Sequence, residues 1–422
     1  MKILIPNGTS PNNVGDLAIL TVLLRLIRRK WKRAQVVLHS TDPQLYGAMS
    51  VDRINHTLYS HLVFEDDSFF GRILRMGHFL LFFPMVFFLK SDAMLIFKNS
   101  NLIRILLDYI EADLVVFTGG GILRTQKGFT QTLNLFMQLG MLYIAKLSRG
   151  TKIIAPMSFG PFAYAWQARV AAFMLKNFDV ITTREKYSYA LLKKYGVEKV
   201  IPSVDLALLL EKYSKKNKRK KIKQSRFIVG ITLKNWLPET EQLRFEEIVV
   251  LTLKDFAKRR NIAIAPIIQV ADSKYGDIDE VVTKRVICQL LSLGIVVLPT
   301  KHCNASLRKA MNIYKDLNLL LGMRMHSNII AATQGVPFVA ISYEHKMDGI
   351  AHLLGVEEYC ISCTVITKHK LLNMLKKAYK KKKSLKSNLK VSLSLFREKE
   401  FNTWSEILAN PLKIQNSFVK KI

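Results

Sequence analysis

Leu320-Leu321-Gly322-Met323-Arg324-Met325-His326-Ser327 opens a stretch that runs on through Gly335-Val336-Pro337 to Tyr343-Glu344-His345-Lys346-Met347-Asp348-Gly349. Apolar Leu317, Leu319, Leu320 and Leu321 spell a short strand, Gly322 breaks it, and small and apolar residues over 327–333 predict a packed helix. Gly335-Val336-Pro337 ends that helix, and 338–341 is an apolar run of strand length. Arg324 and His326 therefore belong to the turn that leads from a strand into a helix. In open parallel sheets, ligands gather outside the carboxyl ends of strands, where the next helix also offers free N–H groups to an anion. An Arg and a His in one turn also describe an ordinary solvated loop. The following strand adds weight to a site, because its end carries Tyr343-Glu344-His345-Lys346. Arg324, His326, Glu344 and Lys346 then share one rim, a set able to bind an anion and move a proton.

Other predicted strand ends carry comparable groups. An N-terminal strand over 3–5 feeds a polar loop holding Asn13-Val14-Gly15-Asp16, and apolar Leu17, Leu20, Leu24 and Ile27 predict a helix over 17–31 with Asp16 as its N-cap. Strand, glycine loop and helix start together form an anion- or hydroxyl-receiving arrangement, without the Gly-Lys-Ser/Thr ending of a nucleotide P-loop. A buried strand over 113–118 ends in Gly119-Gly120-Gly121, where a ligand or another backbone can approach closely. The strand over 180–183 ends in Arg184, whose guanidinium fork suits a carboxylate or phosphate and equally suits a surface ion pair with Glu185. Asp205 reads as a structural cap or loop residue, and His302 as a loop histidine.

These motifs resemble the polysaccharide pyruvyl transferase family. The similarity rests on Asn13-x-Gly15-Asp16 with Ala18-Ile19-Leu20, on Gly119-Gly120-Gly121, on Thr183-Arg184-Glu185 with Ser188, and on Gly322-x-Arg324-x-His326-Ser327 with Gly335-x-Pro337 and Tyr343-x-x-Lys346-x-x-Gly349. They run in the family's order across nearly the whole chain. The resemblance implies two Rossmann-like doubly wound α/β domains in a glycosyltransferase-B-like arrangement with an interdomain cleft. It also implies transfer of pyruvate from phosphoenolpyruvate to a sugar as a ketal. On that chemistry His326 is the proton donor and Glu344 orients it or accepts a hydroxyl proton. Arg324 and Arg184 hold the donor, Lys346 neutralises the leaving phosphate, and Ser327, Asn13, Asp16 and the three glycines line the substrate side. No metal and no cofactor beyond the donor itself is expected. Replacing Arg324 or His326 with alanine is expected to end turnover while leaving the fold intact.

Composition sets the bounds. A chain of 422 residues is too long for one ordinary core. The expected division is an acceptor-side domain over 1–213 with an apolar insertion at about 69–107, a basic linker over 214–225, a donor-side domain over 226–383 and a helical tail over 384–422. Lys and Arg outnumber Asp and Glu by 64 to 32, a net charge of +32 that implies attraction to phosphates, nucleic acid or an anionic membrane. The run over 215–224 lacks interleaved aromatics and reads as a solvated linker rather than a nucleic-acid module. The aromatic run over 79–89 is too short to span a bilayer and contains Pro84; insertion beside anionic headgroups and burial in a core or subunit interface fit it equally. Cys360 and Cys363 have metal-ligand spacing but no second pair, and read as ordinary thiols. The N-terminus lacks the apolar length of a signal segment, so a cytoplasmic location, peripheral to the membrane, is the expectation. Two other functions share these features: a nucleotide-sugar glycosyltransferase, and a basic nucleic-acid-binding protein.

Overall fold

The computed structural model describes residues 1–47, 49–63, 100–212, 226–258, 260–272 and 277–411. The expected apolar run over 79–89 and the basic linker over 215–224 lie outside them. The chain packs as two α/β units, one of Met1–Ser10, Ile19–Leu206 and the chain from Glu400 onward, the other of Pro11–Ala18 and Ala207–Lys399. This differs from the expected division in three ways. The main stretch of the first unit ends at Leu206 rather than at 213. The short segment after the first strand groups with the second unit. The expected boundary at 383/384 falls inside one helix, Lys382–Ala409, whose residues from Glu400 belong to the first unit. Within that unit Ser203 Oγ donates to Glu400 Oε2 at 2.6 Å, and the Arg29 guanidinium lies 5.0 Å from the Phe401 ring centre.

The first unit is a parallel sheet of β1 (Lys2–Gly8), β2 (Gln35–Ser40), β3 (Arg53–His56), β4 (Leu114–Phe117), β5 (Gly120–Leu123), β6 (Thr151–Phe159), β7 (Val180–Thr183) and β8 (Val200–Pro202), in the order β3-β2-β1-β4-β6-β7-β8 with β5 beside β6. The central strands are unbroken apolar runs because helices cover a parallel sheet on both faces. Strand order turns around between β1 and β4, and Asn7 clasps the two ends together. Its Nδ2 donates to the Thr118 carbonyl (3.3 Å) and its Oδ1 accepts from the Thr118 N–H (2.7 Å).

Beside β1 to β3 the helix Ser100–Ile110 supplies a buried carboxylate, Asp108, which accepts from Lys2 Nζ (2.9 Å), Asn55 Nδ2 (2.9 Å) and Arg53, and bonds His39 Nε2 at 3.0 Å. Burial alone would raise the Asp108 pKa, but the hydrogen bonds from His39 and Lys2 outweigh it and hold the carboxyl at about 2. Burial pushes the His39 pKa down, opposed by Asp108 and assisted by Arg53 and Lys2. An unfolded histidine takes up a proton near pH 6.5 that folded His39 refuses. Stability from this site is therefore complete above about pH 6.5 and is lost as pH falls below it, by up to about 1.4 kcal/mol per pH unit. Urea unfolding of wild type and His39→Gln across pH 5 to 7.5 checks this: the variant's stability is expected to fall less steeply below pH 6.5, and parallel curves contradict the assignment.

The second unit is a parallel sheet of β9 (Phe227–Thr232), β10 (Ile262–Ile268), β13 (Lys301–His302), β14 (Leu319–Gly322), β15 (Phe338–Ser342) and β16 (Cys360–Ser362), in the order β13-β10-β9-β14-β15-β16. A two-stranded piece, β11 (Ala271–Asp272) with β12 (Asp277–Ile278), follows β10. Val297 meets the sheet only through an isolated bridge with Ile264. Pro299 follows two residues on and has no N–H to continue the ladder. Here strand order turns around between β9 and β14, whose Thr232 and Gly322 pair at the carboxyl ends. No helix of the described residues is long and apolar enough to cross a membrane.

Candidate active site

β14 ends at Gly322 and the helix Met325–Thr333 begins three residues later, two residues earlier than its composition predicts. Arg324 occupies the N-cap position with extended backbone (φ −83°, ψ 126°), and His326 therefore sits in the first helical turn. The turn is built from the inside. Asn328 Nδ2 donates to the carbonyls of Gly322 (3.0 Å) and Arg324 (3.2 Å), and Ser327 Oγ donates to the Arg324 carbonyl (2.6 Å) while meeting Thr232 Oγ1 of β9 at 2.8 Å. Ser327 is fully buried, so it ties the turn to the neighbouring strand rather than facing a substrate.

Arg324 is also more deeply held than a turn residue on a rim would be. Its Nε and Nη2 donate to Asp279 Oδ1 at 2.8 and 2.5 Å, and both side chains are buried. Asp279 Oδ2 accepts the backbone N–H groups of Gln269 (3.2 Å) and Val270 (3.1 Å). Asp279 stands at the N-cap of the helix Glu280–Ser292, a position its sequence context signals, yet its side chain makes no cap bond and reaches Arg324 instead. Below the pair, Tyr314 Oη donates to Gln269 Oε1 at 3.0 Å, and burial, with Asp279 adding to it, pushes the Cys303 thiol up to about 12.

The N-terminal loop joins this site. Asn13, rather than Asp16, caps the first helix, Val14–Lys30: its carbonyl accepts from Leu17 N–H (3.1 Å), its Oδ1 from Gly15 N–H (3.1 Å), and its Nδ2 donates to Asp16 Oδ2 (2.9 Å). Asp16 thus stands in the first turn, where its carboxylate accepts from the Asn13 side chain. Asn13 forms an antiparallel bridge with Val270, whose N–H is bonded to Asp279. Gly15 lies directly on the imidazole: a Cβ there would stand 2.1 Å from His326 Nδ1 and 2.4 Å from its Cγ. Gly15→Ala is therefore expected to displace the ring and lower turnover by about 10²-fold, the cost of an ångström-scale misplacement. Unchanged turnover in a folded Gly15→Ala protein contradicts the contact.

The next strand, β15, delivers Tyr343, Glu344 and Lys346 as expected. Lys346 Nζ lies 2.5 Å from Glu344 Oε2 with both side chains mostly buried, so the two form a pair. Opposite them β9 runs into Lys234 and Trp236, which the sequence reading passed over although the strand-end rule applies to β9 as well as to β14. The Trp236 and Tyr343 rings are 4.8 Å apart, and Lys234 Nζ lies 5.0 and 5.3 Å from their centres. His302, expected only as a loop residue, is in edge strand β13.

The first unit gathers its own predicted residues. Arg184 follows β7 and is buried. Its Nε donates to Ser158 Oγ (2.7 Å) and its Nη1 to Asp205 Oδ2 (2.6 Å). Its carboxylate partner is thus Asp205, not the half-buried Glu185 beside it, which instead accepts from Ser158 Oγ (3.1 Å) and Ser188. Gly121 lies beside Arg184, with 3.6 Å between an added Cβ and Nη2; Gly120 has φ +135°; and a Cβ at Gly119 would stand 2.3 Å from the Pro156 carbonyl oxygen of β6. Only Gly119 is forced by backbone packing. Cys360 and Cys363 are free thiols, and burial pushes both up, Cys360 with Asp348 contributing. Among the described residues no three His, Cys, Asp or Glu side chains gather as a metal-binding group.

Residues 13–345 match the family model described as polysaccharide pyruvyl transferase. Over 235 residues the chain is 25% identical to the amylovoran biosynthesis protein AmsJ of Erwinia amylovora, a match covering 48% of this chain and 51% of that protein. The matched part thus spans about half the length of that curated relative. In fold it is similar to MnaA of S. aureus, solved with UDP (TM-score 0.54, 10% identity, covering 99% of this chain and 97% of that one). It is also similar to a UDP-forming α,α-trehalose-phosphate synthase from Burkholderia vietnamiensis (TM-score 0.53, 12% identity, covering 98% and 99%). At these identities the likeness is one of fold, that of two Rossmann-like parallel-sheet domains.

Proposed function

The chain belongs to the polysaccharide pyruvyl transferase family, and from that premise we propose that it moves the enolpyruvyl group of phosphoenolpyruvate onto a sugar of a polysaccharide or lipid-linked glycan, forming a pyruvate ketal and releasing phosphate. The observation that carries this reading is the seating of Gly15 on the His326 imidazole. It joins two motifs from opposite ends of the chain in one site. A histidine is the side chain best suited to give and take a proton near neutral pH.

In the proposed reaction His326 protonates the donor's methylene carbon, which becomes a methyl group and leaves the central carbon electron-poor. A sugar oxygen bonds to that carbon, and the carbon–oxygen bond to phosphate breaks, its electron pair leaving with the phosphate. A second sugar hydroxyl then closes the ring. Of the two hydroxyl protons, one replaces the proton His326 gave to the methyl group and the other leaves with phosphate. In this proposal Glu344 receives a hydroxyl proton, and Lys346, paired with it at 2.5 Å, meets the departing phosphate. Arg324, backed by Asp279, would contribute directed hydrogen bonds more than uncompensated charge.

The acceptor is proposed to be met at an anionic membrane face. Residues 368–390 hold ten lysines and no Asp or Glu. They lie on the helices Lys368–Lys380 and Lys382–Ala409, where Leu371, Leu375, Leu385 and Leu389 are buried and most of the lysines are exposed. The test mixes purified protein, labelled phosphoenolpyruvate and extracted membrane glycolipid. Phosphate release matched by label in the glycolipid is the expected result. Turnover of a nucleotide sugar with release of a nucleoside diphosphate, and none with phosphoenolpyruvate, replaces this reading with a glycosyltransferase. Transfer indifferent to anionic lipid in the acceptor vesicles removes its membrane part.

A further inference from the structure

In the first unit the helix Phe129–Ile144 leads into β6 and the helix Ala165–Leu175 leads out of it. Each buries one face in the core of that unit, through Leu135, Leu139 and Leu142 on the first and Ala172 and Leu175 on the second. The outward face of such a helix is ordinarily polar. Here it is aromatic: Phe129 is 78% exposed, Phe173 63%, and Phe136 and Trp166 42% each. Phe136 stacks on Trp166 with ring centres 5.9 Å apart. About two turns further along both helices, Lys146 Nζ lies 4.6 Å from the centre of the Tyr143 ring and 6.0 Å from that of Phe173. Each helix thus carries its second ring the same number of residues beyond its first. The helices therefore run side by side in one direction and present one continuous aromatic face.

An exposed apolar patch rimmed by polar groups marks a surface that meets a partner, and the charge around this one selects the partner. Between Asp113 and Asp179 the chain holds seven Lys or Arg and no Asp or Glu. Of these Lys127, Lys146, Arg169 and Lys176 are exposed on the two helices or on the turns beside them. A two-fold contact with a second copy would set these cations against their own images, which disfavours it. An anionic bilayer suits both features, because aromatic rings settle at headgroup level and cations meet the headgroup phosphates there. Lys146, held against two of the rings, brings its charge into the same layer.

We propose that the aromatic face of the helices Phe129–Ile144 and Ala165–Leu175 is a membrane-docking surface whose rings insert shallowly among anionic headgroups. It rests on the membrane part of the reading under Proposed function and not on its donor chemistry. To the charge of the lysine-rich helices it adds apolar insertion, a contact that salt does not screen.

The test sediments full-length wild type, the double variant Phe129→Ser with Phe173→Ser, and Trp166→Phe with vesicles of phosphatidylcholine alone and of phosphatidylcholine mixed with phosphatidylglycerol. Wild type is expected to bind the mixed vesicles far better than the neutral ones. The double variant is expected to bind them about tenfold to a hundredfold more weakly, since each phenylalanine gives up apolar burial. Bromine-labelled lipid is expected to quench tryptophan emission in wild type, and Trp166→Phe to remove most of that quenching, a change that a merely structural role for the ring would not produce. A folded double variant that binds within twofold of wild type overturns the inference and leaves docking to the lysine-rich helices. Quenching that Trp166→Phe leaves unchanged overturns it too, and this comparison decides where the double variant does not fold. Wild type that ignores the mixed vesicles but forms a dimer dissolved by the same two serines assigns the face to a second copy. Wild type that binds no mixed vesicles overturns the inference and the membrane part of the functional reading together, while label transfer to dispersed glycolipid would leave the donor chemistry standing.

Discussion

His326→Ala is expected to lower turnover by about 10²- to 10⁴-fold, the range lost when a positioned proton donor is removed. The imidazole is held on the first turn of the helix after β14, against the backbone of Gly15, so its removal takes away the proposed acid and leaves space where the loop rests on it. Ser327 and Asn328, which build the turn from beneath, are untouched. The folded protein should therefore keep its circular dichroism and its unfolding midpoint within a few degrees. The decisive measurement is phosphate release from phosphoenolpyruvate at saturating acceptor. Wild-type rates from a folded His326→Ala protein remove the histidine from the chemistry.

Asp279→Ala is expected to destabilise the second unit by about 3–5 kcal/mol, the usual cost of removing one member of a buried ion pair. Asp279 accepts from Arg324 through one oxygen and from two backbone N–H groups through the other, so alanine would take an acceptor from each of them. The same geometry corrects the expectation that Arg324→Ala spares the fold, since that change would leave a buried carboxylate without its guanidinium. Replacing the pair together, Arg324→Met with Asp279→Leu, should recover the part of the loss that comes from an uncompensated buried charge, though not the part that comes from the Gln269 and Val270 N–H groups. Urea denaturation of the three variants reads the coupling. A single Asp279→Ala loss below about 1 kcal/mol is incompatible with the pair as described.

Much of the architecture was legible because it depends on neighbours in sequence. The strands expected over 180–183 and 338–341 are found at Val180–Thr183 and Phe338–Ser342, the second one residue longer than expected. Strand ends were found by the glycines and polar residues that follow them, which placed Arg324, His326, Glu344 and Lys346 at the carboxyl ends of adjacent strands. The helix caps were less legible. Asn13 and Asp16 both have capping side chains, and only the bonds Asn13 accepts from the Gly15 and Leu17 N–H groups show which one stands outside the helix. Lys234 and Trp236 were passed over because they match no motif; their place at the turn-around of the sheet follows only from strand order.

By itself, then, the sequence determined two alternations of strand and helix, the strand ends that hold polar groups, and the family the motifs belong to. Tertiary structure alone decided that Arg324 pairs with Asp279 and Arg184 with Asp205, that Gly15 rests on His326, and that two aromatic rings close over a lysine. The physical reason is range. Strand and helix are set by interactions a few residues apart, whereas a buried charge takes its partner from whichever distant segment the sheet order brings within hydrogen-bond distance.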